Sequence, residues 1–152
     1  MDQHDCYLWA ARRCSVKEYC RSEIVSKLLA KGAAADDVQA VVERLEKENY
    51  LNEERYVRAF VADKFRFDRW GRNKIVQALR QKGIAQNAIA DALAETVTDE
   101  DYSAALRDFL AAKLRTTKAD TPYAQRQKVA RSAISRGFEP HLVFSQLSLD
   151  DF

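Results

Sequence analysis

The chain has 152 residues, 47% hydrophobic and 32% charged, with 25 basic side chains against 23 acidic ones. That length suits one domain or a row of small ones. Its 15 aromatics exclude a disordered chain, and four glycines with two prolines exclude a turn-rich sandwich or barrel.

Residues 1–5 are acidic and lack the basic start and apolar core of a secretory signal. Cys6, Cys14 and Cys20 are odd in number and contain no C-x-x-C pair, so a reduced, cytoplasmic protein is expected. With His4 they could be offered as zinc ligands, but spacings of eight and six fit no common zinc motif. Small buried side chains are the expected role. The longest charge-free stretch, 141–149, is nine residues, too short to span a bilayer.

Apolar residues recur at helical spacing along nearly the whole chain. A long amphipathic stretch at 7–18 is followed by shorter ones at 24–31 and 38–45. Asn52 can cap a helix opening with Glu53-Glu54-Arg55 and running over 53–69. Stretches at 75–82 and 89–93 come next. Thr98 with Asp101 resembles a capping box ahead of a helix over 99–114. Thr121-Pro122 and Glu139-Pro140 place proline at a first helical position, and stretches at 129–136 and 142–147 complete the row.

Lys31-Gly32, Lys82-Gly83 and Arg136-Gly137 each put a cation in the last helical turn and a glycine just past it. The cation faces the negative end of the helix dipole, and the glycine can adopt the left-handed conformation that ends a helix. Gly83 follows Gly32 by 51 residues, and Gly137 follows Gly83 by 54. A period near 50, with a long helix before each glycine-linked pair, predicts an all-α chain of three tandem three-helix repeats, 1–50, 51–97 and 98–152. Each unit is too small to bury a good core alone, so neighbours should stack into an elongated, curved molecule. The competing reading is one compact nine-helix domain with chance glycine spacing.

Nothing in the motifs points to catalysis. His4 and His141 stand in no spacing that suggests a base or a metal ligand, and no nucleophile elbow, phosphate loop or H-E-x-x-H occurs. The paired acids Glu53-Glu54 are explained by the dipole at a helix start. A non-enzyme without cofactor or metal is expected.

Charge placement says more. Residues 64–82 hold seven basic side chains and one acid, Asp68; residues 113–136 again hold seven and one, Asp120. The first 50 residues carry eight basic and nine acidic groups. Solvated helix faces are the plain reading of any one arginine. Together the clusters point to a surface that meets phosphates or an acidic protein, because too few acids lie nearby to pair with them. In Phe65-Arg66-Phe67-Asp68-Arg69-Trp70-Gly71-Arg72 aromatics interleave with arginines. Base stacking is one reading; core packing is the expected role of Phe65 and Trp70. The acidic end, Asp150-Asp151-Phe152, reads either as a shield for a basic face or as a solvated terminus.

The segment Tyr50-Leu51-Asn52-Glu53-Glu54-Arg55-Tyr56, then Phe60-Val61, then Gly71-x-x-x-Ile75-x-x-x-Leu79-x-x-Lys82-Gly83-Ile84 resembles the RecX family of small bacterial regulators of the RecA recombinase. The resemblance is strong over about 35 residues, 50–84, and extends more weakly through the threefold repeat. Asn52 and Tyr56 stand where the family usually has Asp and Phe, and Ala78 where Glu is common; these departures leave cap and core intact. The resemblance implies three tandem three-helix units and binding to RecA, above all to its filament on single-stranded DNA. It also implies modulation, mostly inhibition, of recombinase activity in DNA repair, recombination and the SOS response, by a cytoplasmic protein without cofactor. The motif is made of caps and core positions and marks no interface. The basic residues expected to face the filament's protein surface, its DNA or both are Arg66, Arg69, Arg72 and Lys74, then Lys82, Lys128 and Arg131. A monomer is expected. Two other readings stay open: a helical module that binds nucleic acid without a recombinase, and a pure protein scaffold.

Overall fold

In the computed structural model, which describes residues 1–149, nine helices and no strand occur among those residues. The acidic end at 150–152, for which two roles were open, lies outside the described residues. The helices are α1 (Gln3–Val16), α2 (Arg21–Ala30), α3 (Ala35–Lys47), α4 (Glu53–Arg66), α5 (Arg72–Gln81), α6 (Gln86–Thr96), α7 (Asp99–Thr116), α8 (Pro122–Ser135) and α9 (Pro140–Leu147). Each trio packs mainly within itself: α1 and α2 on α3, α4 and α5 on α6, and α8 on both α7 and α9. No described helix is long and apolar enough to cross a membrane.

The helix ends follow the residues that predicted them. Gly32, Gly83 and Gly137 have φ of 90°, 83° and 103°. At each, the glycine N–H donates three residues back and the next N–H five residues back, as in Ile84 to the Leu79 carbonyl (3.2 Å). That is the Schellman motif, closed by an apolar pair such as Ile84 with Leu79, both buried. The sequence reading missed two further ends of this kind. Asn49 (φ 65°) closes α3 and Ser148 (φ 56°) closes α9, with Tyr50 and Leu149 donating five residues back. Asn52 Oδ1 caps α4 through the Arg55 N–H (2.9 Å), and Thr98 Oγ1 caps α7 through the Asp101 N–H (3.0 Å).

As expected, α8 starts from the Thr121 cap and Pro122, so its first turns precede the apolar stretch at 129–136. In contrast, α4 stops at Arg66 rather than 69, because Arg69 takes a left-handed φ of 57° and the Trp70 N–H turns back to the Lys64 carbonyl (3.0 Å).

Three like units were expected, but the apolar interior divides in two. Repeat 1 has its own core of Cys6, Ile24, Leu28, Val38, Val42 and Leu45, among others. Repeats 2 and 3 share a continuous one that runs from Val57 and Leu79 through Tyr102 and Phe109 to Val143, and Cys20 of repeat 1 is buried in it. Among the described residues, the ion pairs and side-chain hydrogen bonds that leave repeat 1 or repeat 3 end on repeat 2 or on the 48–52 connection, so the repeats are strung in chain order.

Candidate functional site

Arg66, Arg69, Arg72 and Lys74 sit where α4 turns into α5. The apolar stripe of α4 points Val57 and Val61 inward. Phe65 stacks on Tyr102 of α7 (6.0 Å between ring centroids, 22° between planes), and Trp70 meets Phe60 edge-on at 6.3 Å. The packing role expected of Phe65 and Trp70 is therefore filled. Phe67 has no such place. It sits one residue past α4 with 80% of its surface exposed.

The seven candidate residues fall into separate environments. Arg72 is half-buried and engaged by repeat 3: its guanidinium lies 3.7 Å over the Tyr102 ring and pairs with Glu139 (3.0 Å) and Asp99 (2.9 Å). Tyr102 in turn donates to Glu139 and accepts from the Arg72 N–H. Burial, with that bond to Glu139, pushes the Tyr102 hydroxyl pKa well up. Lys82 reaches Glu23 of repeat 1 (3.1 Å). Glu23 is half-buried, which alone would raise its pKa. The Cys20 N–H and the Lys82 ammonium override that and hold it below the ordinary value. Lys74 lies 4.6 Å over the Trp70 ring, and Lys64 lies 4.8 Å from the centre of the same ring.

The other four are exposed. Lys128 donates to the Lys118 carbonyl (3.1 Å), and Arg131 lies three residues further along α8. Arg66 and Arg69 line a cleft of about 240 Å³ together with Phe65, Phe109, Phe138 and Asp108. Among the described residues Arg66, Arg69 and Arg131 have no ion-pair partner. Their charges are left to solvent or to a partner.

One basic residue that was not among the candidates links the regions. Arg136 donates to the Asp68 carbonyl (2.8 Å) and lies 5.5 Å from the centre of the Phe109 ring. It pins the 67–71 turn against the end of α8. Its place just before Gly137 gave it a helix-capping role and hid this one. His4 and His141 are exposed, and no group of three His, Cys, Asp or Glu among the described residues could hold a metal. Burial raises the pKa of the Cys6 and Cys14 thiols. Neither thiol gains the thiolate character of a nucleophile.

Three family models match in chain order: the first three-helix domain of RecX over 6–45, the second over 52–93 and the third over 99–147. A curated relative from Clostridium perfringens (strain 13 / Type A), named regulatory protein RecX, is 32% identical over 120 residues. That match covers 77% of this chain and 55% of the relative. A relative of the same name from Trichlorobacter lovleyi is 34% identical, with 64% of this chain and 63% of the relative covered. The chain thus spans somewhat more than half the length of these relatives. A crystal structure of regulatory protein RecX superposes with a TM-score of 0.86 at 24% identity, covering 96% of this chain and 72% of that one, and shows a shared fold.

Proposed function

Because this chain belongs to the RecX family, we propose that it regulates the RecA recombinase: it binds RecA and its filament on single-stranded DNA and mostly inhibits recombination activity. The observation that carries this reading is the ordered match of all three RecX domains, which together reach from residue 6 to residue 147. The arrangement of charge supports it. Arg66 and Arg69 on repeat 2 and Lys128 and Arg131 on repeat 3 stand exposed and form no ion pair among the described residues, as a surface for a polyanionic filament requires.

On this reading Arg72, Lys74 and Lys82 have different work. Arg72 and Lys82 fix repeat 2 to its neighbours, and Lys74 stays with Trp70. The protein acts without cofactor, as a cytoplasmic monomer, by occupying the filament rather than by chemistry.

The test is the single-stranded-DNA-dependent ATP hydrolysis rate of the cognate RecA with this protein titrated in. Inhibition at well below one molecule per recombinase subunit is the expected result, since one molecule on a filament affects many subunits. No inhibition at molar excess of folded protein would overturn it. Equal affinity for naked and recombinase-coated DNA, falling alike with salt, would favour a nucleic-acid module that needs no recombinase.

A further inference from the structure

We propose that the turn after α4 is a stacking platform for single-stranded nucleic acid, with the Phe67 ring taking an unpaired base and Arg66 and Arg69 taking the flanking phosphates. This rests on the reading that the basic side of repeat 2 faces a nucleoprotein filament, and it names the nucleic-acid strand as what that side touches.

Phe67 is the most exposed aromatic among the described residues, at 80% against 53% for Tyr123. A phenylalanine ring left in water gives the fold almost nothing, since its stabilising value lies in burial. Nor is the ring on a loose end. The Phe67 N–H donates to the Asp63 carbonyl (2.9 Å), Arg136 holds the Asp68 carbonyl (2.8 Å), and the Trp70 N–H returns to Lys64. The turn is tied on both sides of the exposed ring, so little conformational freedom is lost when it is covered.

The charges beside it fit one class of occupant. Arg69 takes a left-handed backbone conformation that strains any side chain, so local geometry gives no reason for an arginine there. What arginine adds is its charge. The one carboxylate in the turn, Asp68, is engaged by Lys64 at 2.9 Å. Asp108 lines the same cleft as Arg66 and Arg69 but forms no ion pair with either.

An exposed ring with one cation directly before it in the chain and another two residues after it matches a chain of alternating bases and phosphates. It requires a single strand, because duplex bases are already stacked on one another and present no free face. An apolar protein anchor would also cover Phe67, but it gives Arg66 and Arg69 nothing to pair with.

Fluorescence anisotropy with a labelled oligo(dT) at low salt tests the idea, using the full chain and the variants Phe67→Ala, Phe67→Trp and Arg66→Ala/Arg69→Ala. Circular dichroism checks that each retains its helices. Phe67→Ala should weaken binding roughly tenfold, and Phe67→Trp should restore it. The arginine variant should bind less tightly and with a shallower salt dependence, by about two phosphate contacts. On an oligonucleotide of the same length with abasic sites throughout, the wild type and Phe67→Ala should bind equally, since no base is left to stack. Equal binding of oligo(dT) by the wild type and Phe67→Ala would overturn the proposal, as would no binding by either. A Phe67→Ala defect confined to recombinase-coated DNA would also overturn it, by making the ring a protein contact while the filament reading stands. Wild-type protein that binds oligo(dT) in a base-dependent way but ignores the coated filament would keep the platform and remove the filament reading.

Discussion

Gly71 and Gly137 meet back to back where α5 begins and α8 ends. A Cβ on Gly71 would lie 2.3 Å from the Gly137 carbonyl carbon, and one on Gly137 would lie 2.5 Å from Lys74 Cβ. Gly71 has an ordinary φ of −80°, so its need for glycine is purely one of space. Gly32 and Gly83 are the reverse case: their φ is positive, but a Cβ would meet nothing within 4 Å. Gly32→Ala should therefore cost about 1–2 kcal/mol, the strain of a left-handed alanine. Gly71→Ala should cost more, roughly 2–4 kcal/mol, since backbone must move. Urea denaturation of the two variants checks the order. Arg72 and Arg66 form a second contrast. Arg72→Ala leaves Glu139 half-buried without its guanidinium and uncovers the Tyr102 ring, and should cost roughly 2 kcal/mol. Arg66→Ala should stay within about 0.5 kcal/mol. Thermal melts of both variants would show Arg72 as the structural residue and Arg66 as the one free for a partner.

At the scale of elements, α5 is held at both ends by other repeats. It has no side-chain N-cap. Its first amides are satisfied from repeat 3 instead: the Arg72 N–H donates to the Tyr102 hydroxyl (3.0 Å) and the Asn73 N–H to the Gly137 carbonyl (2.9 Å). At the far end the Ser22 hydroxyl of repeat 1 donates to the Lys82 carbonyl (2.8 Å), beside the Glu23–Lys82 pair. This second contact carries a pH dependence. Glu23 has a folded-state pKa below its unfolded value, so its contribution is full above the ordinary carboxylate range and is lost as pH falls through the depressed folded value. Hydrogen exchange of α2 and α5, corrected for intrinsic rates, should show their contact loosening toward acid in the wild type. In Glu23→Gln that acid dependence should be much reduced. An unchanged acid response in Glu23→Gln would move the effect to another carboxylate.

Across the whole molecule the two junctions differ in kind. Repeats 2 and 3 share apolar interior, two backbone hydrogen bonds through Gly71 and Asn73, and the Arg72 cluster. Repeats 1 and 2 meet through Cys20, which is buried in the repeat 2 and 3 core, and through polar contacts: Glu18 with Arg55, Glu23 with Lys82, and Ser22 with the end of α5. Between them lies an open cavity of about 530 Å³ lined by Tyr19, Val25, Leu51 and Ile84, among others. Repeats 2 and 3 should accordingly open as one cooperative unit and repeat 1 as another. Leu28→Ala, in the core of repeat 1, should cost about 2–5 kcal/mol and lower amide protection in α1–α3 while α4–α9 stay protected. Leu106→Ala should lower protection in α4–α9 together. Native-state hydrogen exchange by mass spectrometry reads both.

The all-α class, the threefold repeat and most helix ends were legible in the sequence because each is encoded locally. A glycine after a cation, an Asn or Thr cap and a 3.6-residue apolar stripe act within one or two turns of where they stand. The basic character of the second and third repeats was legible for the same reason, as a count of neighbouring charges. Which of those charges are free was not. Arg72 meets its partners 27 and 67 residues away, at Asp99 and Glu139, and Lys82 meets Glu23 across 59. No local window contains both halves of such a pair, so Arg72 and Lys82 read as equivalent to Arg66 and Arg69. Only the packing of the repeats separates them. It likewise decided that Gly71 must be glycine and that Phe67 stays outside, while Phe65 and Trp70 of the same run go inward as their size predicted.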